Sequence, residues 1–213
     1  MKVVFRVDAS VSMGTGHVIR CLTLADALAT QGARCFFICR ELPGHLIAHV
    51  RGRGYHVHVL AMSESSLSRP TQRPASADGS RQFYSALLGV SQEQDARESL
   101  PFVQEICPDW LVVDHYALDM VWETMLLSYS RKLLVIDDLA DRDHQCDLLL
   151  DQTYGCDDDI YRKRVPAQAR LLCGAHYALL RPEFAALRDY SLARRLHAPL
   201  RQVVISMGGT DQD

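Results

Sequence analysis

The chain has 213 residues, 48% of them hydrophobic and 23% charged, which is the balance of a folded globular protein and excludes a disordered or fibrous one. Twenty-three Lys and Arg stand against 26 Asp and Glu, a net charge of −3 with no basic tract, so nothing marks nucleic acid as a partner. The seven cysteines show no Cys-x-x-Cys spacing, which fits neither a disulfide framework nor a zinc ribbon and points to reduced thiols in a cytoplasm. No stretch is long and apolar enough to make a membrane a partner.

Val3 to Val7 is a short β-branched apolar run and reads as a buried strand. After it, Val18, Leu22, Ala25 and Ala29 recur at helical spacing, and Gly32 stands where a left-handed stop belongs. Arg34 to Cys39 then reads as a second strand, Gly44 to Arg53 as a helix and His56 to Leu60 as a third strand. The stretch Ala61 to Ser80 is polar and rich in Ser and Pro, and is expected to be a mobile flap. Ser91-x-x-Gln94 is a capping box opening a helix to about Cys107. Two doubly buried strands follow, Trp110 to Val113 and Leu133 to Ile136, with a helical segment from Asp119 to Ser130 between them. Leu148 to Leu150 is expected to be the last strand of the sheet. Such alternation builds a parallel sheet with helices on both faces. Beyond Pro182 the pattern turns helical through Phe184, Leu187 and Leu192. Pro199 breaks it, and Gln202 to Met207 reads as one more strand before Gly208-Gly209-Thr210. A strand and glycine turn without a following helix suggest a second domain cut at its first strand. The expected division is therefore a domain over 1–181, a linker helix over 182–200 and the start of another domain over 201–213.

Parallel strands share a carboxyl edge, where open α/β sheets bind ligands. Asp8, His17, Asp114, His115, Tyr116, Asp137 and Asp138 all follow strands and should crowd that rim, although Asp residues at such places also serve simply as caps of helices and turns. Gly14-Thr15-Gly16-His17 joins the first strand to the first helix, where glycines permit a tight turn and close approach of a ligand. It is not the dinucleotide fingerprint, since Ile19 stands at the third glycine position. Glu41 could still hold a ribose, which keeps a nicotinamide enzyme open as an alternative. His17 would lie in the first helical turn, where the positive end of the helix dipole disfavours imidazolium. That leaves either a neutral general base or a histidine that only caps the turn. Asp114 and His115 beside Asp137 and Asp138 could recruit a divalent ion, yet they match no metal-binding spacing, and no metal or cofactor is expected. Backbone N–H groups of the Gly208-Gly209-Thr210 turn could face a diphosphate, or form an ordinary strand–helix turn.

Six segments in order, FRVDAS, GTGHVIRCLTLA, VVDHYALD, VIDDLADRDHQCDLLLDQ, CGAHYALLRPEF and ISMGGTD, resemble the UDP-2,4-diacetamido-2,4,6-trideoxy-β-L-altropyranose hydrolases of pseudaminic acid biosynthesis from Met1 to Asp211. The resemblance implies the N-terminal half of a GT-B fold, a Rossmann-like domain facing a second one across a cleft that holds a UDP-sugar. It further implies metal-free hydrolysis between the anomeric carbon and UDP. His17 would be the catalytic residue that activates water. Arg6, Asp8, Gly14, Thr15, Gly16, Asp114, His115, Tyr116, Tyr177, Gly208, Gly209 and Thr210 would bind substrate. A glycosyltransferase of the same fold and a non-catalytic binding remnant are the alternatives. Family members continue well past the GGTD turn, so the chain as given is expected to bind UDP-sugar weakly or not at all. The resemblance leaves the oligomeric state undefined.

Overall fold

The computed structural model describes residues 1–62, 77–196, 199 and 202–205, with backbone alone for 77–82. Seven strands form one sheet: β1 (Lys2–Val7), β2 (Arg34–Arg40), β3 (His56–Leu60), β4 (Trp110–Asp114), β5 (Lys132–Ile136), β6 (Leu148–Asp151) and β7 (Arg170–Cys173). Their order is β3-β2-β1-β4-β5-β6-β7, and every neighbouring pair is parallel. The expected α/β architecture with helices on both faces is therefore present.

Side-chain alternation sends each strand into two cores. Val3, Phe5, Val7, Val112, Leu134 and Leu150 face one side, where they meet Val18, Cys21, Leu22 and Ala25 of α1 (Gly16–Thr30) and Ile47 and Val50 of α2 (Ile47–Gly52). Val4, Leu111, Val113, Leu133, Val135 and Leu149 face the other. There they pack on Phe102 and Val103 of α4 (Gln92–Ile106) and on Trp122 and Leu126 of α5 (Met120–Leu126). Burial on both faces is why these strands read as nearly continuous apolar runs. Ser91 caps α4, its side chain accepting from the Gln94 backbone N–H as the capping pattern predicts. Beside α1, an apolar groove runs over β4 to β7, walled by Leu28, Trp110, Leu134, Leu148, Leu172 and Leu179.

Several sequence expectations need correction. A helix, α3 (Ala77–Leu88), occupies the end of the expected flap and continues past it, while 63–76 lie outside the described residues. Phe83, Tyr84, Leu87 and Leu88 of α3 are buried, and their helical spacing is the signal that the polar run preceding them obscured. The sheet does not end at β6. β7 follows it, a four-residue strand only half-buried, too short and too lightly packed to stand out from sequence. Helices α6 (Pro182–Ala186) and α7 (Arg188–Arg195) continue the helical pattern beyond Pro182, and Phe184, Tyr190 and Leu192 on them and Leu187 between them are exposed. Gln202 to Ile205 were expected in a strand but form none, and they are exposed. Gly208, Gly209 and Thr210 lie outside the described residues.

Candidate active site

The chain leaves β1 toward β2 and β3, then returns to lay β4 on the other side of β1. Connections leaving β1 and β4 thus diverge, and at the carboxyl ends of such a strand pair parallel sheets form their ligand crevice. The β1–α1 connection lines it from one side. Gly14 has φ +81°, a left-handed conformation natural only to glycine, and its N–H donates to Ser10 O at 2.8 Å to close the turn. A second glycine braces this turn from behind. A Cβ on Gly44, itself at φ +81°, would lie 2.8 Å from Val11 Cγ2 and 2.9 Å from Val11 N. At Gly16, by contrast, an added Cβ would meet no atom within 4 Å, so packing does not demand glycine there. Thr15 occupies the N-cap position of α1 without making a side-chain capping bond.

His17, the second residue of α1, is 5% exposed. Its Nδ1 lies 2.6 Å from Oδ1 of Asp114, the last residue of β4. Burial works against the Asp114 carboxylate, but His17 and Arg20 outweigh it and hold its pKa well below the usual range. An ionised oxygen at that distance faces an N–H and not a lone pair, so the neutral imidazole carries its proton on Nδ1. Nε2 is then the basic nitrogen, and no protein group among the described residues hydrogen-bonds it. The Tyr116 ring stands edge-on to the imidazole, with centroids 4.5 Å apart and planes at 85°. Tyr84 of α3 packs on Tyr116 at 4.7 Å between centroids, and Phe83 and Leu87 join Met13, Tyr116 and Leu139 in a small apolar cluster above the rim. Burial and the charge of the Asp138 carboxylate push the Tyr116 phenol well above its ordinary pKa, so it stays protonated.

The structure brings together His17, Asp114 and Tyr116 from the expected set. It sets Arg6, Asp8 and His115 behind the rim, not on it, and all are fully or nearly fully buried. Arg6 grips Asp8 (2.6 and 2.9 Å) and Asp95 of α4 (2.9 and 2.6 Å), leaving no face for a substrate. Arg40 adds bonds to Asp95 and Glu98, and Trp122 Nε1 donates to Asp95. His115 accepts the Ala117 N–H at Nδ1, and its Nε2 lies 3.3 Å from Asp8 Oδ2 in poor hydrogen-bond alignment. Burial lowers its pKa. Asp114 likewise has no exposed surface, and its oxygens are taken up by protein groups, so its contact is with the imidazole and not with a ligand. Asp137 turns inward to Arg142, Tyr161 and the Ala140 N–H. Tyr177 does not join this group: 42% exposed, it follows β7 and lines the apolar groove beside α1. Arg20 and Tyr84 were missed in the sequence. The signal for Arg20 was its place three residues after His17, on the same helix face. Among the described residues no cluster of His, Cys, Asp and Glu has the geometry to hold a metal ion.

Over 212 residues, 99% of its length, the chain is 30% identical to the UDP-2,4-diacetamido-2,4,6-trideoxy-β-L-altropyranose hydrolase of Campylobacter jejuni subsp. jejuni serotype O:2. The chain is similar to that hydrolase along nearly all of its own length. It spans 61% of the length of this curated relative. No family model matches. Among solved structures, the chain is similar to MurG of Acinetobacter baumannii, with TM-score 0.48 and 10% identity over 80% of this chain and 44% of that one. It is also similar to CalG4, the calicheamicin glycosyltransferase, with TM-score 0.47 and 16% identity over 89% and 42%. The fold class rests on the seven parallel strands themselves.

Proposed function

We propose that the protein hydrolyses a UDP-linked diacetamido-trideoxyhexose to free sugar and UDP, in pseudaminic acid biosynthesis in the cytoplasm, with this chain forming the catalytic half of a two-domain GT-B arrangement. The observation that carries the reading is the His17–Asp114 contact of 2.6 Å at the crevice between β1 and β4, which leaves Nε2 as the basic nitrogen. Identity to the Campylobacter hydrolase over nearly the whole chain supports the substrate class.

In this reading Nε2 takes a proton from water as the water oxygen attacks the anomeric carbon, and the bond from that carbon to the UDP oxygen breaks with its electron pair leaving on UDP. The Nδ1 proton, held by Asp114, steadies the imidazolium that forms. Open space at Gly16 lets the sugar–diphosphate approach the β1–α1 turn. Tyr116 and Tyr84 form an aromatic wall against which the deoxy and acetamido groups of the sugar rest. The Gly208-Gly209-Thr210 turn contacts the diphosphate. No metal takes part, so the rate is the same in EDTA as in Mg2+.

The test is UDP release by the full-length gene product, with His17→Asn as the variant. Wild type releases UDP with water alone, and the variant loses about a hundredfold or more in kcat while UDP binding persists. Undiminished hydrolysis by the variant would overturn the role of His17. Release that requires an added sugar acceptor would make the protein a glycosyltransferase.

A further inference from the structure

Four side chains from three segments gather around the imidazole: Arg20, Asp114, Asp138 and Tyr116. Arg20, one turn along α1 from His17, grips both oxygens of Asp114, Nε to Oδ2 at 2.6 Å and Nη2 to Oδ1 at 2.6 Å. Its third nitrogen, Nη1, donates to Asp138 Oδ2 at 2.9 Å. The Asp138 carboxylate also acts on the Tyr116 phenol, and the Tyr116 ring stands edge-on to His17. Arg20 is nearly buried and each of its three nitrogens donates to a carboxylate, which uses three of its five N–H groups and ties the guanidinium to protein partners. A rigid, planar guanidinium does this in a way that an ammonium cannot, because one fork meets two oxygens while the remaining nitrogen reaches a second carboxylate.

Resting on the reading of His17 as the base, we infer that Arg20 is its positioning residue: it balances the charge of Asp114 and fixes that carboxylate so that the imidazole holds its proton on Nδ1 and presents a free lone pair at Nε2. A carboxylate alone at 2.6 Å favours imidazolium, which has no lone pair to offer. Arg20 offsets that pull without breaking the contact. Its Nη2 also lies 3.2 Å from His17 Nδ1, but with Nδ1 protonated that approach is not a hydrogen bond and Asp114 Oδ1 takes the donor. The charged and titratable groups around the imidazole are Asp114 from β4, Arg20 and Cys21 from α1, Tyr116 after β4 and, through Arg20, Asp138 after β5. Tyr84 of α3 reaches it only through Tyr116. Burial and Asp114 push the Cys21 thiol up, so it stays neutral. Arg20 is therefore the cation that opposes the carboxylates Asp114 and Asp138.

The experiment uses the full-length gene product labelled with 15N in the histidine rings, with the His17 signal assigned by its loss in His17→Asn. Wild type shows a protonated Nδ1 and an unprotonated Nε2 at neutral pH. In Arg20→Met the titration midpoint of His17 rises by about one unit or more, and the acid limb of the kcat/KM profile moves up with it. Near pH 6 kcat falls about tenfold while KM changes less than about threefold, the split expected of a residue that acts through Asp114. Arg20→Lys keeps the charge and loses the fork. Its midpoint stays within about 0.3 of wild type while kcat drops several-fold, which leaves the inference testable if Arg20→Met does not fold. An unchanged midpoint and tautomer in Arg20→Met, an Arg20→Lys midpoint raised as far as that expected for Arg20→Met, or a rise in KM alone in either variant would overturn the inference. Failure of the hydrolase reading looks different: hydrolysis that survives in His17→Asn removes the base from the mechanism, while the midpoint and tautomer still report on Arg20.

Discussion

Asp114 has two partners that need its charge, and an isosteric change separates their demands. Asp114→Asn keeps the shape but offers Nδ1 an amide N–H2 as readily as a carbonyl, which favours the tautomer with its proton on Nε2. We expect kcat to fall by about 10²-fold or more with KM little changed, read from initial rates of UDP release. A loss confined to KM would mean that Asp114 touches substrate after all. At this scale the site was only half legible. His17 could be read as a residue because its position after a glycine turn is local. The retreat of Arg6 and Asp8 from the rim could not, because the group that draws Arg6 inward, Asp95, lies 89 residues further along and Arg40 joins from 34 residues away in the other strand. Arg6 near the end of β1 and Asp8 just past it lie two residues apart and so had a local reason to pair, but their burial depended on a partner that α4 delivers.

Elements carry their own predictions. Ser91→Ala removes the cap of α4 and should cost about 1 kcal/mol of stability, read as a lower urea midpoint, with kcat little changed because the Ser91 hydroxyl bonds the Gln94 N–H of its own helix and not a residue of the site. Gly44→Ala acts differently. It puts a methyl on the Val11 backbone and imposes a left-handed conformation on alanine, costing about 1–3 kcal/mol, and it also displaces the turn that precedes His17. Stability and kcat should therefore fall together, and a stable variant with full kcat would show that the turn yields without disturbing the base. The elements that were legible are those whose burial is uniform. β1, β2, β4 and β5 are buried on both faces and announce themselves as apolar runs, and α4 announces itself by its cap. Among its described side chains, α3 buries Phe83, Tyr84 and Leu87 against Met13, Tyr116 and Leu139 and Leu88 in the core shared with α4 and α5, a patch preceded by a polar half-helix in sequence. β7 is defined by pairing with β6, a property that four half-buried residues do not display in isolation.

For the whole molecule, buried charge makes stability depend on pH. Asp8, Asp95, Asp114 and Asp137 are all held below the ordinary value of 3.8, so the unfolded chain binds more protons than the folded one as pH falls past that value, and stability is lost there. His115 and His58 are lowered from 6.5, chiefly by burial, and the same sign applies: below about that pH the unfolded chain gains protons that the folded one refuses. The urea midpoint should be level from about pH 8 to 6.5, decline gently to about 4 and then fall steeply. A midpoint still level at pH 4 would mean that the buried histidines do not resist protonation.

The order of strands has a consequence during synthesis. β1 is the first of these strands to be made, yet it lies inside the sheet with a neighbour on each edge, and its pairing with β4 sets Val3 opposite Trp110, 107 positions later. At about 5–20 residues per second, one edge of the nascent β1 waits some 5–20 seconds for its partner to emerge from the ribosome. During that interval an apolar ribbon with half its hydrogen-bonding groups vacant is open to chaperones and to neighbouring nascent chains. Slower translation between codons 60 and 110 should therefore lower the soluble yield without altering the finished protein.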